Sequence, residues 1–208
     1  MNVMNKIDFN LKMEQLIEGL QNKPSLLLHI CCAPCSSSVL ERIYKNFEIT
    51  VFFYNPNMDT EEEFEKRNAE AEKFIKKFNE EYFADVKFVS IPYNHNDFLD
   101  YVKGLEKEKE GGSRCEKCFH LRLLRAKKYA EEHDFDYLTT TLTVSPYKNS
   151  DMLNNIGIEI CNEKVKYLVS DFKKKDGYKR SIELSKKYEM YRQNYCGCEF
   201  SKANKELY

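Results

Sequence analysis

Apolar and polar positions change rhythm several times along the chain, and each change marks an element. Positions 26–30 are apolar except for His29, the pattern of a short strand buried on both faces. Positions 36–44 then read as a helix, and 48–54 (EITVFFY) as a second strand rich in β-branched and aromatic residues. Asn55-Pro56-Asn57 signals a turn, and Thr60 with Glu63 has the spacing of a capping box. Phe64, Ala71, Phe74 and Phe78 then carry one apolar stripe to about residue 79. Positions 86–91 predict a third strand. Positions 115–133 predict a helix with Phe119, Leu123, Ala126 and Ala130 on one face. A fourth strand is expected at 137–141 and a helix at 152–161. Beyond 165 the pattern weakens. Lys173, Lys174 and Lys175 with Asp176-Gly177 read as an exposed loop, 182–191 reads as helical, and a tail rich in tyrosine and cysteine follows.

Strands that alternate with helices pair in parallel, so the expected fold is a Rossmann-like α/β layered domain with a mostly parallel sheet. No internal repeat or low-complexity linker divides it. The expectation is one domain over residues 1–208, with 164–208 as a basic C-terminal extension that bears cysteines. Ligands of such sheets gather at the carboxyl ends of the strands, where strand order reverses. The stretch "CCAPC", residues 31–35, falls at such an end.

Composition adds two constraints. At 42% hydrophobic and 13% aromatic, 208 residues can bury a sizeable core. No stretch approaches the roughly 18 apolar residues of a membrane span. The first residues show neither the apolar block nor the cleavage site of a signal peptide, so a cytoplasmic protein is expected. The net charge of −1 hides an asymmetry. Residues 164–208 hold 12 basic and 6 acidic side chains, a net +6, against 21 and 28, a net −7, over residues 1–163. That split fits a local contact with a polyanion; it also fits a plain lysine-rich solvated surface.

Eight cysteines change the picture most. A reducing compartment disfavours structural disulfides and leaves metal or catalytic thiols. Three groups stand out: Cys31/Cys32/Cys35, Cys115/Cys118 and Cys196/Cys198. Cys161 stands alone among apolar residues and reads as core packing. Cys115-Glu-Lys-Cys118 sits at a predicted helix start, where backbone N–H groups and the helix dipole favour thiolates. With Cys31 and Cys32 it could complete four ligands. Zinc ribbons separate their pairs by about 15–20 residues, whereas Cys32 and Cys115 are 83 apart. An iron–sulfur cube tolerates such separations and adjacent ligands. Cys32-Ala-Pro-Cys35 alternatively resembles a thioredoxin-type redox pair. Cys196-Gly-Cys198 would close a small strained disulfide through Gly197, labile and hence redox-active, or is a chance pair of thiols.

The four segments "LLLHICCAPC", "RCEKCFHLRL", "TTTLTVSPYKN" and "YRQNYCGCEFSK", in this order from about Leu26 to Lys202, closely resemble the epoxyqueuosine reductases of the QueH type. The resemblance implies two-electron reduction of epoxyqueuosine to queuosine at the wobble position of tRNA, the last step of queuosine synthesis. It implies a fold akin to the adenine-nucleotide hydrolases, unrelated to the cobalamin-dependent enzyme for the same step. Carried over by position, Cys31, Cys32, Cys115 and Cys118 match the ligands of a [4Fe–4S] cluster, and Cys196 and Cys198 match a redox-active pair. A further iron close to the cluster belongs to the same implication, and Cys35 could serve as a ligand to it here. No glycine lies in residues 31–38, so ATP binding at that turn is not expected.

Removal of an epoxide oxygen takes two electrons and two protons. A metal could act on the oxygen as a Lewis acid, with electrons from Cys196/Cys198 or the cluster and ultimately from a donor the sequence does not identify. His29, Tyr195 or a thiol would supply protons, with His29 also readable as a satisfied strand histidine. A tRNA loop should meet aromatic and basic side chains. Tyr188, Tyr191 and Tyr195 interleave with Lys186, Lys187 and Arg192, while Lys173, Lys174, Lys175, Lys179 and Arg180 could meet phosphates. Tyr188 and Tyr191 also read as a core-packed helix face. Two other classes stay open: a thiol–disulfide oxidoreductase acting through Cys32/Cys35, and a zinc-stabilised tRNA-binding module.

Overall fold

The computed structural model describes residues 7–202. Residues 1–6 and 203–208, which begin the N-terminal stretch and end the basic extension discussed above, lie outside the described residues. A helix that the hydrophobic pattern did not predict comes first. In α1 (Phe9–Glu18) the Asp8 carboxylate accepts from the Leu11 amide at 3.0 Å, and Phe9 and Met13 are its buried apolar positions. Two buried positions are too few for periodicity to detect.

Strand β1 (Ser25–Ile30) is followed by α2 (Ala33–Ile43), β2 (Glu48–Phe53) and α3 (Glu61–Tyr82). Helix α2 begins three residues earlier than expected, because Pro34 sits in its first turn, where a missing N–H costs nothing. The capping box closes on one side only. Thr60 Oγ1 accepts from the Glu63 amide at 3.2 Å, but the Glu63 carboxylate turns away to accept from Arg67. Next come β3 (Lys87–Ser90), α4 (His95–Tyr101), α5 (Ser113–Glu132) and β4 (Tyr137–Thr140), which runs into a 3₁₀ turn at Thr141–Val144. Helix α6 (Ser150–Ile160), the two-residue strand β5 (Lys166–Tyr167), α7 (Gly177–Lys187) and α8 (Glu199–Lys202) are the remaining elements among the described residues. Helix α7 starts five residues before the expected 182 and stops at Lys187. Tyr188 is therefore its C-cap, and Tyr191 lies beyond it.

All five strands are parallel, in the order β3-β2-β1-β4-β5. Leu27 pairs in register with Thr50 on one side and Leu138 on the other. The chain winds outward from β1 to β3, then returns through α4 and α5 to β4 on the far side of β1. Strand order thus reverses between β1 and β4, and a crevice opens at their carboxyl ends. Leu26, Leu28, Ile30, Ile49, Val51 and Phe53 turn one face of the sheet toward α1, α2, α3 and α7. Leu27, Phe52 and Leu138 turn the other toward Ala126 and Ala130 of α5, whose small side chains allow close approach. Among the described residues no helix is long and apolar enough to cross a membrane.

The C-terminal stretch contributes β5 and α7 to these layers. Arg180 grips Glu41 of α2 with two hydrogen bonds, Nε to Oε2 at 2.8 Å and Nη2 to Oε1 at 2.7 Å. Tyr188 packs edge-on against Phe74 and donates to Glu81 at 2.6 Å, which makes it a core side chain. At Gly177, where α7 starts, a Cβ would lie 1.8 Å from the Phe172 carbonyl oxygen. Gly177→Ala should therefore cost about 1–3 kcal/mol in a urea titration. An unchanged midpoint would contradict this close approach.

Candidate metal centre

The backbone leaves β1 at Ile30 and places Cys31 and Cys32 at the reversal in strand order. Cys32 is the N-cap of α2, with extended backbone (φ −169°, ψ 162°), and Cys35 lies in the first turn of that helix. The three sulfurs lie within 4.8 Å of one another, with Cys31 and Cys32 Sγ 3.6 Å apart. Hydrogen bonds from Cys31 and Cys35, joined by Gln193 and the charge of Arg67, hold the Cys32 thiol well below its ordinary pKa. The same sharing pushes Cys31 and Cys35 up. The trio thus brings three sulfur donors together, a set suited to a soft cation.

Cys115 and Cys118 come from the first turn and a half of α5. The Gly111 amide donates to Cys115 Sγ at 3.2 Å, and Cys115 packs against the cluster of side chains that includes Cys31 and Cys32. A helix start argues for lowered pKa values, but here burial outweighs the dipole. It raises Cys115, and it pushes Cys118 up to about 12 against the opposing charge of Arg122.

Cys196-Gly197-Cys198 closes over the site as a strap. Its peptide groups are tied down by Cys196 N–H to Ser201 Oγ (3.1 Å), Arg67 Nη1 to Cys196 O (3.3 Å) and Asp59 N–H to Gly197 O (2.9 Å). Gly197 has φ +122°, a conformation that side chains disfavour, and a Cβ there would lie 3.2 Å from Arg67 Nη1. Cys196 lines a cleft with Cys31 and Cys35, and a smaller hollow with Cys115, Cys118 and Cys198. Seven of the eight cysteines, all free thiols, therefore converge on one place. Cys161 lies apart against the α5 face of the sheet, with burial pushing its pKa up to about 12.

Three guanidinium groups missed in the sequence surround these thiols: Arg67, Arg114 and Arg122, each at most 2% exposed. Arg67 meets Glu63 Oε1 at 2.6 Å. Arg114 donates to the carbonyls of Leu105, Glu106 and Glu108 and lies 4.5 Å above the Phe200 ring. Arg122 donates to Asn55 Oδ1, and its Nε has no partner. A signal existed for two of them. Arg67 falls at i+3 from Phe64 and i−4 from Ala71, and Arg122 at i+3 from Phe119 and i−4 from Ala126, so both sit on apolar stripes.

His29 is fully buried, with Nδ1 2.9 Å from Thr140 Oγ1 and Nε2 3.3 Å from the Tyr54 carbonyl. Burial, aided by the charge of Arg122, pushes its pKa down to about 3. It is the satisfied strand histidine, neutral at pH 7. Tyr195 is buried and donates to Asp59 at 3.0 Å, with Arg67 5.2 Å over its ring. Tyr191 lies under Lys66 Nζ at 3.6 Å, with its hydroxyl 3.3 Å from Glu63. Arg192 lines the cleft. Lys173, Lys174 and Lys175 do not. The first two border a separate hollow near Asp8 and Asp151, Lys173 pairs with Asp171 at 2.9 Å, and Lys175 with Glu14 at 2.6 Å.

Fold and site together define a cysteine-rich α/β layered protein whose thiols collect at the switch point of a parallel sheet. A family model described as epoxyqueuosine reductase QueH matches residues 26–204. Proteins named epoxyqueuosine reductase QueH that resemble the chain include that of Streptococcus pyogenes serotype M1, 41% identical over 207 residues (97% of this chain, 80% of that protein). That of Thermotoga maritima is 36% identical over 180 residues (85% and 90%). The chain belongs to the epoxyqueuosine reductase QueH family. Among solved structures, the U34-tRNA thiolase NcsA from Methanococcus maripaludis with its [4Fe-4S] cluster aligns at TM-score 0.51 and 16% identity, over 96% of this chain and 72% of that one. At that identity the likeness speaks to the fold.

The strap generates a direct test. Gly197→Ala forces a side chain into a strained backbone, at a cost of about 1–3 kcal/mol to the strap conformation. Alkylation of Cys196 and Cys198 in the metal-free protein, followed by mass spectrometry, should be faster than in the parent. Parent-like rates would show that Gly197 does not hold the strap.

Proposed function

We propose that this chain is an epoxyqueuosine reductase that deoxygenates epoxyqueuosine to queuosine in tRNA. Cys31, Cys32, Cys115 and Cys118 would hold a [4Fe–4S] cluster, and Cys196 and Cys198 are the redox-active pair. The observation that carries the reading is the convergence of seven thiols among buried arginines at the switch point. A group of clustered thiolates and sulfides is the kind of anion that such buried cations favour. When bound, the cluster supplies one-electron transfer, and an additional iron at Cys35 would supply Lewis acidity.

The balance of the reaction can be met by this chain's own thiols. Both C–O bonds of the epoxide break, a C=C bond forms, and the oxygen leaves as water. Oxidation of Cys196 and Cys198 to a disulfide releases the two electrons and two protons this requires. An electron donor outside the chain then restores the dithiol. The thiols are the proton source because His29 is neutral with both ring nitrogens engaged, and the Tyr195 hydroxyl is committed to Asp59 with a raised pKa. A cytoplasmic setting would keep the thiols reduced. A thioredoxin-like role for Cys32/Cys35 is disfavoured, because an attacking thiol must be reached by its target and Cys32 is 1% exposed. Arg192 and Tyr195 flank the redox pair on the substrate side, and Lys173, Lys174 and Lys175 are proposed to attract the tRNA backbone.

Three measurements test this. Iron and sulfide should fall sharply after anaerobic reconstitution of Cys31→Ala, Cys32→Ala, Cys115→Ala or Cys118→Ala. Full retention in the α5 pair would sink the ligand assignment. The double variant Cys196→Ser, Cys198→Ser should keep iron and visible absorption but lose multiple turnover on epoxyqueuosine tRNA; parent-level steady-state activity would refute the redox role. Lys173, Lys174 and Lys175 changed together to Gln should weaken tRNA binding and flatten its salt dependence. An unchanged slope would remove them from the interface.

A further inference from the structure

The cleft beside the thiols has walls that the chemistry above leaves unused. It encloses about 310 Å³, near the small end of ligand pockets. That volume suits one nucleobase with an appended ring and leaves the sugar–phosphate chain outside. Its sulfur floor is Cys31, Cys35 and Cys196. Arg122, 1% exposed, also lines it and has an unpartnered Nε. Gln193 lines it too, and its Oε1 is buried without a partner. Both residues therefore bring a polar side chain to the cleft wall, and in each one polar atom is buried without a partner.

The rim differs from the floor. Tyr147 and Lys148 reach it from the segment after the 3₁₀ turn, and Tyr178 and Arg192 from the start of α7 and the segment after it. Tyr147 is 52% exposed, unlike the buried rings of the core. The Arg192 guanidinium lies 5.3 Å over the Tyr178 ring. Among the described residues neither a carboxylate nor an imidazole lines the cleft. An aromatic, cationic mouth above a polar, sulfur-lined floor is complementary to a nucleotide whose base carries an oxygenated substituent.

We propose that this cleft holds an extruded anticodon base, with its ring against Tyr147 and Tyr178, its flanking phosphates at Lys148 and Arg192, and its appended ring at Arg122 and Gln193. The proposal rests on the reading of the chain as a reductase of a tRNA base and assigns the residues that select that base. Two consequences follow from the arrangement. Stacking is indifferent to which base is present, so the rim supplies affinity. Arg122 and Gln193, the polar side chains beside the sulfur floor, supply discrimination by bonding the oxygens of the appended ring.

The test uses anticodon stem–loop RNA carrying epoxyqueuosine or guanosine at the wobble position, with the iron-loaded protein. Tyr147→Ala should raise the Kd for both RNAs at least about fivefold, the lower bound for a lost base stack. Tyr147→Phe, which keeps the ring, should bind like the parent. Lys148→Gln and Arg192→Gln should each lower the salt slope of binding by about one counterion. Gln193→Ala should weaken the epoxyqueuosine RNA while leaving the guanosine RNA near its parent Kd. Iron content and thermal melting of the Tyr147, Lys148 and Arg192 variants should match the parent, and for Gln193→Ala the two RNAs are compared on the same iron-assayed protein, which separates lost contact from lost fold or lost metal. A parent-like Kd for Tyr147→Ala, or equal losses on both RNAs for Gln193→Ala, overturns the subsite. Tight binding by the parent with no reduction of the base would instead overturn the reductase reading and leave the subsite standing.

Discussion

Three guanidinium groups lie out of water in this protein, and the organisation of the site follows from the need to satisfy them. An arginine cannot discard its proton to escape burial, so each buried guanidinium must find acceptors or anions. Arg67 finds Glu63 and the Cys196 carbonyl, Arg114 finds three loop carbonyls, and Arg122 finds Asn55. Each of these bonds also fixes something else. Arg67 pins the strap, Arg114 shapes the turns ahead of α5, and Arg122 ties α5 to the β2–α3 loop. The cations gather sulfur around themselves and at the same time position the segments that carry it.

The sheet's winding explains why four separate stretches of chain can meet there. Reversal of strand order opens one crevice, and the segments after β1 and β4 necessarily enter it. Helix α5, which carries the chain back toward β4, delivers Cys115 and Cys118 at its beginning. The strap arrives last in sequence, held to the β2–α3 loop through Asp59 and Arg67. Cys115 and Cys118 thus sit on a long helix, whereas Cys196 and Cys198 sit on a segment secured by a few hydrogen bonds, the difference that the proposed roles of fixed ligand and cycling thiol would need.

The strands and the long helices were legible because their patterns are long or strongly apolar. Positions 26–30 and 48–54 read as strands for the same reason they are buried on both faces. Helix α1 and strand β5 escaped notice because two buried apolar positions, or two paired residues, set up no period. Helix α7 was misplaced because its start depends on the close approach of Gly177 to Phe172, a tertiary contact with no local signature. The cysteine groups were visible as spacing. Their thiol chemistry was not, since burial overrode the helix dipole at Cys115 and Cys118. The buried arginines were written into the apolar stripes of α3 and α5 as interruptions, a pattern that a reading by hydrophobicity alone treats as noise. Tyr188 showed the reverse case, an aromatic among lysines that turned out to be core.

A cleft with no carboxylate among its described lining residues, on a molecule of net charge −1, also has a consequence for what shape of polyanion can approach. A rod of double helix laid along the surface would meet acidic and basic side chains in nearly equal number, 34 against 33 over the chain, and gain little net attraction. A single protruding loop could bring its charge to Lys148 and Arg192 in the cleft without laying the rest of the strand on the surface. Selection of a hairpin tip over a duplex can therefore precede any reading of bases. The cationic mouth of the cleft would then act as an address for curvature, legible before contact is made.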